Sequence, residues 1–353
     1  MTVPSIPAAP GETILELPGG PGRGLAGMRR VAAFTSHPLA RMILRRLIGL
    51  FVVVFFVITA TFVMIHLTPG DPLAAATGNT PLTPDIRARL EHQYGFDRPF
   101  FTQYVRYLDH VVLKGDLGQS YTSDLHVSDL IKQRIRTSLE LAGAALLLVL
   151  GVGVPLGMLA AVLTREGRNR PLELGYTGLT SIVGAIPDYL AGTILAFLFA
   201  VQFRLLPVAG AGSFKQLVLP ALAVGLHSIS NLSRIVRLET LNVLAQDYIR
   251  SARSERLPAR LIYARHAFPN VLTAALTVGG LIFSGIIGGA VIVEIIYARP
   301  GLGSALVEAV INKNYPVVQG ITIVLGVTVV VVTALVDILL GIADPRSLVA
   351  KEG

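Results

Sequence analysis

Asp188 and His227 are ionisable side chains set inside apolar runs, the first within Ala185-Ile186-Pro187-Asp188-Tyr189-Leu190, the second followed by Ser228, Ser230, Asn231 and Ser233. A carboxylate or imidazole at membrane depth is costly unless it faces a bundle interior, a partner or water. Asp188 therefore either lines a polar path or makes a structural hydrogen bond or ion pair with a neighbouring helix, and Pro187 loosens the backbone beside it. His227 and Asn231 share a polar stripe that reads as path lining or as a seam joining helices. Glu294 and Asp337 lie near the ends of apolar runs, where water reaches them, and read as structural. Other chemistry is excluded. The chain has no cysteine, which removes thiolate ligands and nucleophiles, and no lysine follows a glycine, so the phosphate-cradling Gly-x-x-x-x-Gly-Lys loop is absent. Neither a His-Glu-x-x-His zinc motif nor a Gly-x-Ser-x-Gly turn occurs, leaving no candidate catalytic or metal-ligating residue.

A second constellation lies between Gln246 and Asn270, QDYIRSARSERLPARLIYARHAFPN. Arg250, Arg253 and Arg256 recur every third residue and would fall along one side of a helix, with Tyr248, Ile249, Ala252 and Leu257 supplying apolar contacts. That is the face of a short docking helix. Basic residues after an apolar run also follow from the positive-inside rule and from contact with anionic headgroups.

The elements that position these residues are apolar helices. Of 353 residues 52% are hydrophobic and only 15% charged, with a mean hydropathy of +0.64, which is a membrane composition. The net charge of +8 comes from arginines flanking apolar runs, with no separate basic domain, so nucleic-acid binding is not indicated. Apolar runs at about 43–67, 139–163, 174–201, 217–236, 270–296 and 317–342 each approach the roughly 20 residues needed to cross a bilayer, predicting an all-α protein of six transmembrane helices. Residues 1–40, rich in proline and glycine, predict a disordered cytoplasmic tail without a cleavable signal. Arg41, Arg45 and Arg46 before the first run, Arg165, Arg168 and Arg170 after the second, and the arginines between 234 and 265 place those segments and both termini in the cytoplasm. Residues 68–137 balance basic with acidic side chains and contain helical stretches at Pro84–Tyr94 and Phe101–Val112, predicting a small extracytoplasmic subdomain.

The ordered series Asp247-Tyr248-Ile249-Arg250-Ser251-Ala252-Arg253, His266 and Pro269-Asn270 resembles the cytoplasmic coupling loop of ABC importer permeases. The resemblance continues from about residue 41 to 347 through His66-Leu67-Thr68-Pro69-Gly70-Asp71-Pro72, Gly95-Phe96-Asp97-Arg98-Pro99, Gly115-Asp116-Leu117-Gly118, Leu219-Pro220-Ala221-Leu222, Arg299-Pro300-Gly301-Leu302-Gly303, Asn314-Tyr315-Pro316 and Asp344-Pro345-Arg346. It is similar to the first of the two membrane subunits of di- or oligopeptide and nickel importers, with residues 348–353 as a short C-terminal tail. The resemblance implies a type I importer permease fold in a bacterial cytoplasmic membrane, a homologous second permease, two ATPase subunits and an extracytoplasmic substrate-binding protein. ATP and magnesium would be used by the ATPases, with no cofactor on this chain. It implies that Asp247, Tyr248, Arg250, Ala252, Arg253, Arg256, Leu257, His266 and Pro269 couple to an ATPase; their depth in the apolar runs, not the resemblance, makes Asp188, His227 and Asn231 the candidates to line the path, where Asp188 would meet a peptide ammonium group. The sequence departs from the family at Arg256, where glycine is usual, and at Asp188, where a small polar or apolar residue is usual. Arginine at the first position must either adopt a strained turn or continue the helix. Peptide is the first expectation for the substrate and a nickel chelate the second. A secondary transporter would show inverted repeats, and an intramembrane enzyme would show paired catalytic residues at matched depth. Neither pattern is evident.

Overall fold

The structure, a computed structural model, describes residues 38–67, 83–94, 97–123 and 125–343. The expected tail before Pro38, the turn at Thr68–Pro72, Gly95-Phe96, Asp344-Pro345-Arg346 and residues 348–353 lie outside the described residues. The chain divides into a unit ending at Arg45 and a long unit, Arg46–Gly353, to which the packing below belongs.

The described residues are helical, with a lone antiparallel bridge between Gln119 and His126. Helix α1 spans Pro38–Leu67, α2 Pro84–Tyr94, and α3 Phe100–Leu108 with a π turn over Asp109–Leu113. Then come α4 (Val127–Thr164), α5 (Arg170–Ala185), and α6 (Asp188–Leu195) with a π turn over Ala196–Gln202. Helix α7 covers Phe214–Leu244 and α8 Asp247–Ser254. A turn at Ala259–Leu261 and a π turn at Ile262–Ala267 lead into α9 (Phe268–Ile296), followed by α10 (Leu302–Ile311) and α11 (Tyr315–Ala343).

Four helical segments are long and apolar enough to cross a bilayer, Leu47–Met64, Val127–Gly167, Ala259–Ile296 and Tyr315–Val336, or five if the bent pair α5 and α6 counts as one span. Two expectations change here. The run 174–201 is not one tilted helix but two, bent by 97° at Ile186-Pro187. Proline supplies no N–H and drives the preceding residue out of the α region, and Ile186 is extended at φ −76°, ψ 120°. The run 217–236 lies within α7, a 31-residue helix that is not apolar enough to count as a span on composition. Its surroundings explain this: α7 packs against α4, α5, α6 and α9, so much of it meets protein and lipid does not select for apolar side chains there.

Leu141, Ala145 and Val149 of α4, Leu219, Val224, Leu232 and Val236 of α7, and Val271, Phe283, Ile286 and Val293 of α9 form the main core. A second cluster joins Val127 and Ile131 at the start of α4 to Leu302 and Ala305 of α10 and Val317 and Ile321 of α11. Large apolar side chains such as Phe51, Phe56, Leu147 and Leu281 are exposed, as expected where the surrounding solvent is hydrocarbon. Helix α4 starts well before the expected 139, because its first turns belong to that second cluster outside the apolar run. Helix α3 lies against the end of α1: Phe62 contacts the rings of Phe100, Tyr104 and Tyr107, and Thr59 and the Tyr104 hydroxyl are 2.6 Å apart.

Helices α4 and α7 approach closely. A Cβ on Gly157 would meet the Ser233 carbonyl and lie 2.8 Å from the Val236 Cβ, whereas one on Gly151 would meet nothing. Gly157→Ala is expected to destabilise the protein by about 1–3 kcal/mol, as overpacking does, while Gly151→Ala is neutral or stabilising. Thermal unfolding of the detergent-solubilised variants checks this, and equal melting temperatures would refute the close α4–α7 contact.

Candidate functional site

The segment 246–270 folds back beneath the core. Ile249 is fully buried and Ala252 nearly so, with Leu257 packed against the same cluster, while Asp247, Arg250, Ser251 and Ser254 are exposed on the other face of α8. The amphipathic reading of the sequence thus holds for α8, but the basic stripe does not form as expected. Arg250 is exposed and reaches Asp247 at 3.3 Å, Arg253 is half-buried with one buried guanidinium nitrogen unpartnered, and Arg256 lies beyond the helix end. Tyr248 is 44% exposed, and its hydroxyl accepts a hydrogen bond from Asn270 Nδ2 at 3.1 Å. Asn270 Nδ2 also donates to the His266 carbonyl at 2.8 Å, tying α8 to the start of α9. Partial burial, reinforced by the Glu239 carboxylate, holds the Tyr248 phenol above the usual tyrosine pKa. His266 sits half-buried in the π turn and Pro269 in the first turn of α9, where a missing N–H costs nothing.

Arg256 adopts the strained alternative. Its φ is +55°, its N–H bonds the Arg253 carbonyl at 2.9 Å, and the Leu257 N–H bonds the Ala252 carbonyl at 3.3 Å. Those two bonds close α8 in a Schellman turn whose left-handed position usually carries glycine.

Asp188 lies just after the break between α5 and α6, both of which pack on α7, and is within electrostatic reach of His227. Asp188 opens α6, with Pro187 at the cap, and its carboxylate packs against Gly289 of α9, where any Cβ would collide with it. On α7, His227 Nε2 and Asn231 Nδ2 are 2.8 Å apart and an Arg234 nitrogen donates to Asn231 Oδ1 at 2.5 Å. His227 is exposed; Asp188, Asn231 and Arg234 are half-buried. Arg234 was no part of the sequence expectation, although it continues the same stripe one turn beyond Asn231. Toward the other end, Arg237 donates to Glu173 at 2.6 Å and to Thr164, joining α7 to α5 and α4. Among the described residues no group of three His, Asp or Glu side chains could hold a metal ion.

Glu294 was expected to be water-accessible and is 1% exposed. Its carboxylate accepts from the Ser138 hydroxyl at 2.6 Å and from the Ser304 N–H at 3.0 Å, and Ser138 in turn accepts from the Leu302 N–H at 2.7 Å. Gly301 and Gly303 leave the room this carboxylate fills. Arg299, 2% exposed, donates to the carbonyls of Gly210 and Gln216. An acidic residue followed by Arg299-Pro300-Gly301-Leu302-Gly303 is the sequence signal for this network.

Relieving the left-handed arginine with Arg256→Gly is expected to slow hydrogen exchange of the α8 amides by about fivefold, matching roughly 1 kcal/mol of strain; faster exchange would contradict it. Glu294→Ala leaves buried donors unsatisfied at about 1–3 kcal/mol each, so a large drop in melting temperature is expected. Glu294→Gln, which keeps an acceptor for Ser138, should fall between, and an unchanged melting temperature for the alanine variant would contradict the network.

Residues 153–349 match the family described as binding-protein-dependent transport system inner membrane component, and residues 39–142 match the N-terminal component of the same description. A putative peptide transport system permease of Brucella suis is 36% identical over 316 residues, covering 87% of this chain and 99% of that protein. The dipeptide transport system permease of Lactococcus lactis is 33% identical and the oligopeptide transport system permease of Salmonella typhimurium 35% identical, each covering 87% of this chain and 99% of theirs.

Proposed function

This chain belongs to the family of binding-protein-dependent transport system inner membrane components, and on that premise we propose that it is a permease subunit of an ATP-driven importer of di- or oligopeptides. The observation that carries the reading is the match along nearly the whole length of permeases named for peptides. In this reading residues 41–347 make a six-span permease of the type I importer fold, with α5–α6 as a broken third span and α7 as the fourth, and both termini are cytoplasmic in a bacterial membrane. Residues 68–137 are its extracytoplasmic subdomain, 1–40 and 348–353 its tails.

The work is divided by chemistry. This chain lacks a phosphate-binding loop, so ATP and magnesium belong to two partner ATPases. Its exposed α8 face, with Tyr248 and Arg250 outward and Ile249 and Ala252 inward, is the surface an ATPase groove takes hold of, and Arg256, Leu257, His266 and Pro269 set the turn that presents it. Because Ile249 and Ala252 are locked into the core, motion of α8 is transmitted to α7 and α9. The polar row on α7, with Asp188, lines the path shared with a second permease, which opens alternately to either side. An extracytoplasmic binding protein delivers the peptide.

Deleting the gene should abolish uptake of labelled di- and tripeptides, and the intact gene should restore it. Tyr248→Ala combined with Arg253→Ala is expected to reduce ATPase co-purification, or to leave hydrolysis running without uptake, at unchanged membrane abundance. Normal assembly and uptake in that double variant would sink the coupling role.

A further inference from the structure

Close approaches set the register between α7 and the broken helix pair. Gly184, near the end of α5, lies against Ser230, Asn231 and Arg234, and Gly192 of α6 lies against Ala223. The two contacts run in opposite directions along the chain, so the break at Ile186-Pro187, with Asp188 just after it, lies between positions 223 and 231 of α7. Asp188 and His227 are within electrostatic reach of each other. Among the described residues no hydrogen-bond donor or lysine or arginine pairs with the Asp188 carboxylate. The nearby cations are engaged elsewhere, Arg234 by Asn231 and Arg237 by Glu173.

The hydrogen bonds along α7 then fix what His227 presents. A guanidinium group only donates, so the atom of Asn231 facing Arg234 must be Oδ1. Reversing the amide would set N–H against N–H. With Oδ1 so held, Nδ2 faces His227 Nε2, and because an amide nitrogen only donates, Nε2 is the accepting, unprotonated nitrogen. The ring proton therefore sits on Nδ1. The exposed face of α7 thus offers a neutral N–H donor within electrostatic reach of an unpartnered, half-buried carboxylate, at the place where the third span is interrupted.

We infer that Asp188 and His227 form a recognition subsite for the free amino terminus of a peptide, with Asp188 accepting from the α-ammonium group and His227 Nδ1–H donating to the first carbonyl oxygen. Arg234, acting through Asn231, is the positioning residue that sets the His227 tautomer. The inference rests on the reading of this face as the translocation path. An ammonium group gives the carboxylate its missing charged partner, and a carbonyl one residue along is the acceptor a neutral imidazole N–H requires. A blocked amino terminus supplies the second without the first.

The test uses the assembled transporter in lipid nanodiscs without its binding protein, titrated with trialanine and with N-acetyl-trialanine. Trialanine is expected to bind at least tenfold more tightly than the acetylated peptide, and Asp188→Asn is expected to abolish most of that preference. Arg234→Met should weaken trialanine severalfold and, by nitrogen-15 NMR, shift His227 from the Nδ1–H form to a mixture, with Arg234→Lys restoring both. Equal affinity for the two peptides, no binding of either at millimolar concentration, or a preference that survives Asp188→Asn overturns the subsite. The chain has no cysteine, so Asp188→Cys and His227→Cys can be probed singly with aqueous thiol reagents. If neither is reachable in any nucleotide state, the path reading itself fails; if both are reachable and the peptides bind alike, the path stands and only the subsite falls.

Discussion

The constraint on which the rest of the structure depends is the near-contact of two backbones, where α4 meets α7 at Gly157 and Ser233. No side chain separates the helices there, so α7 is drawn into the middle of the bundle, where α5, α6 and α9 also pack on it. A helix held on most sides by protein is released from the requirement to be apolar throughout. The single stripe left open on α7 is free to carry His227, Asn231 and Arg234. The same placement sets the broken pair α5–α6 against α7, which is why Asp188, remote in sequence, comes within electrostatic reach of His227.

The end of the bundle at α10 is held by a different device. The buried Glu294 carboxylate would be expensive on its own, but it closes the N-terminal turn of α10 and takes the Ser138 hydroxyl, so helices α4, α9 and α10 share one acceptor. Arg299 extends the network to the carbonyls before and within the first turn of α7. At the opposite end α8 is anchored by Ile249 and Ala252 and tied to α9 through Tyr248 and Asn270. Helix α8 with its exposed polar face and the Glu294–Arg299 network are thus both fastened to the α4–α7–α9 core.

Much of this was legible in the sequence, and the failures have physical causes. The long apolar helices, the amphipathic face of α8 and the family followed from local patterns of apolar runs and ordered short motifs. The choice open to Arg256, strain or continued helix, was visible, but which alternative won depended on Leu257 packing into the core after the turn. Every-third arginine spacing suggested a stripe, yet α8 ends at Ser254 because Pro258 and the partly buried Leu257 redirect the chain. The third run read as one tilted helix because proline is tolerated inside membrane spans, and only the packing of α6 on α7 and α9 shows that it breaks. Glu294 read as wet because it lies near a helix end; α10 folding back over it is a non-local event that no periodicity reports. Arg234 reads in the sequence as a topology signal, as an arginine at the end of an apolar run ordinarily does, and its bond to Asn231 is set by the helix.

The central claim is that α7 is a core helix with one open, water-facing stripe, and a site-directed spin-label scan from Ala223 to Leu238 tests it most directly. Accessibility to a water-soluble nickel relaxant should rise with helical period at 227, 231 and 234 and fall at 224, 232 and 236, with oxygen accessibility low at the first set. A stripe that is oxygen-rich and nickel-poor at 227, 231 and 234 would mean that α7 shows this face to lipid, and would contradict the account.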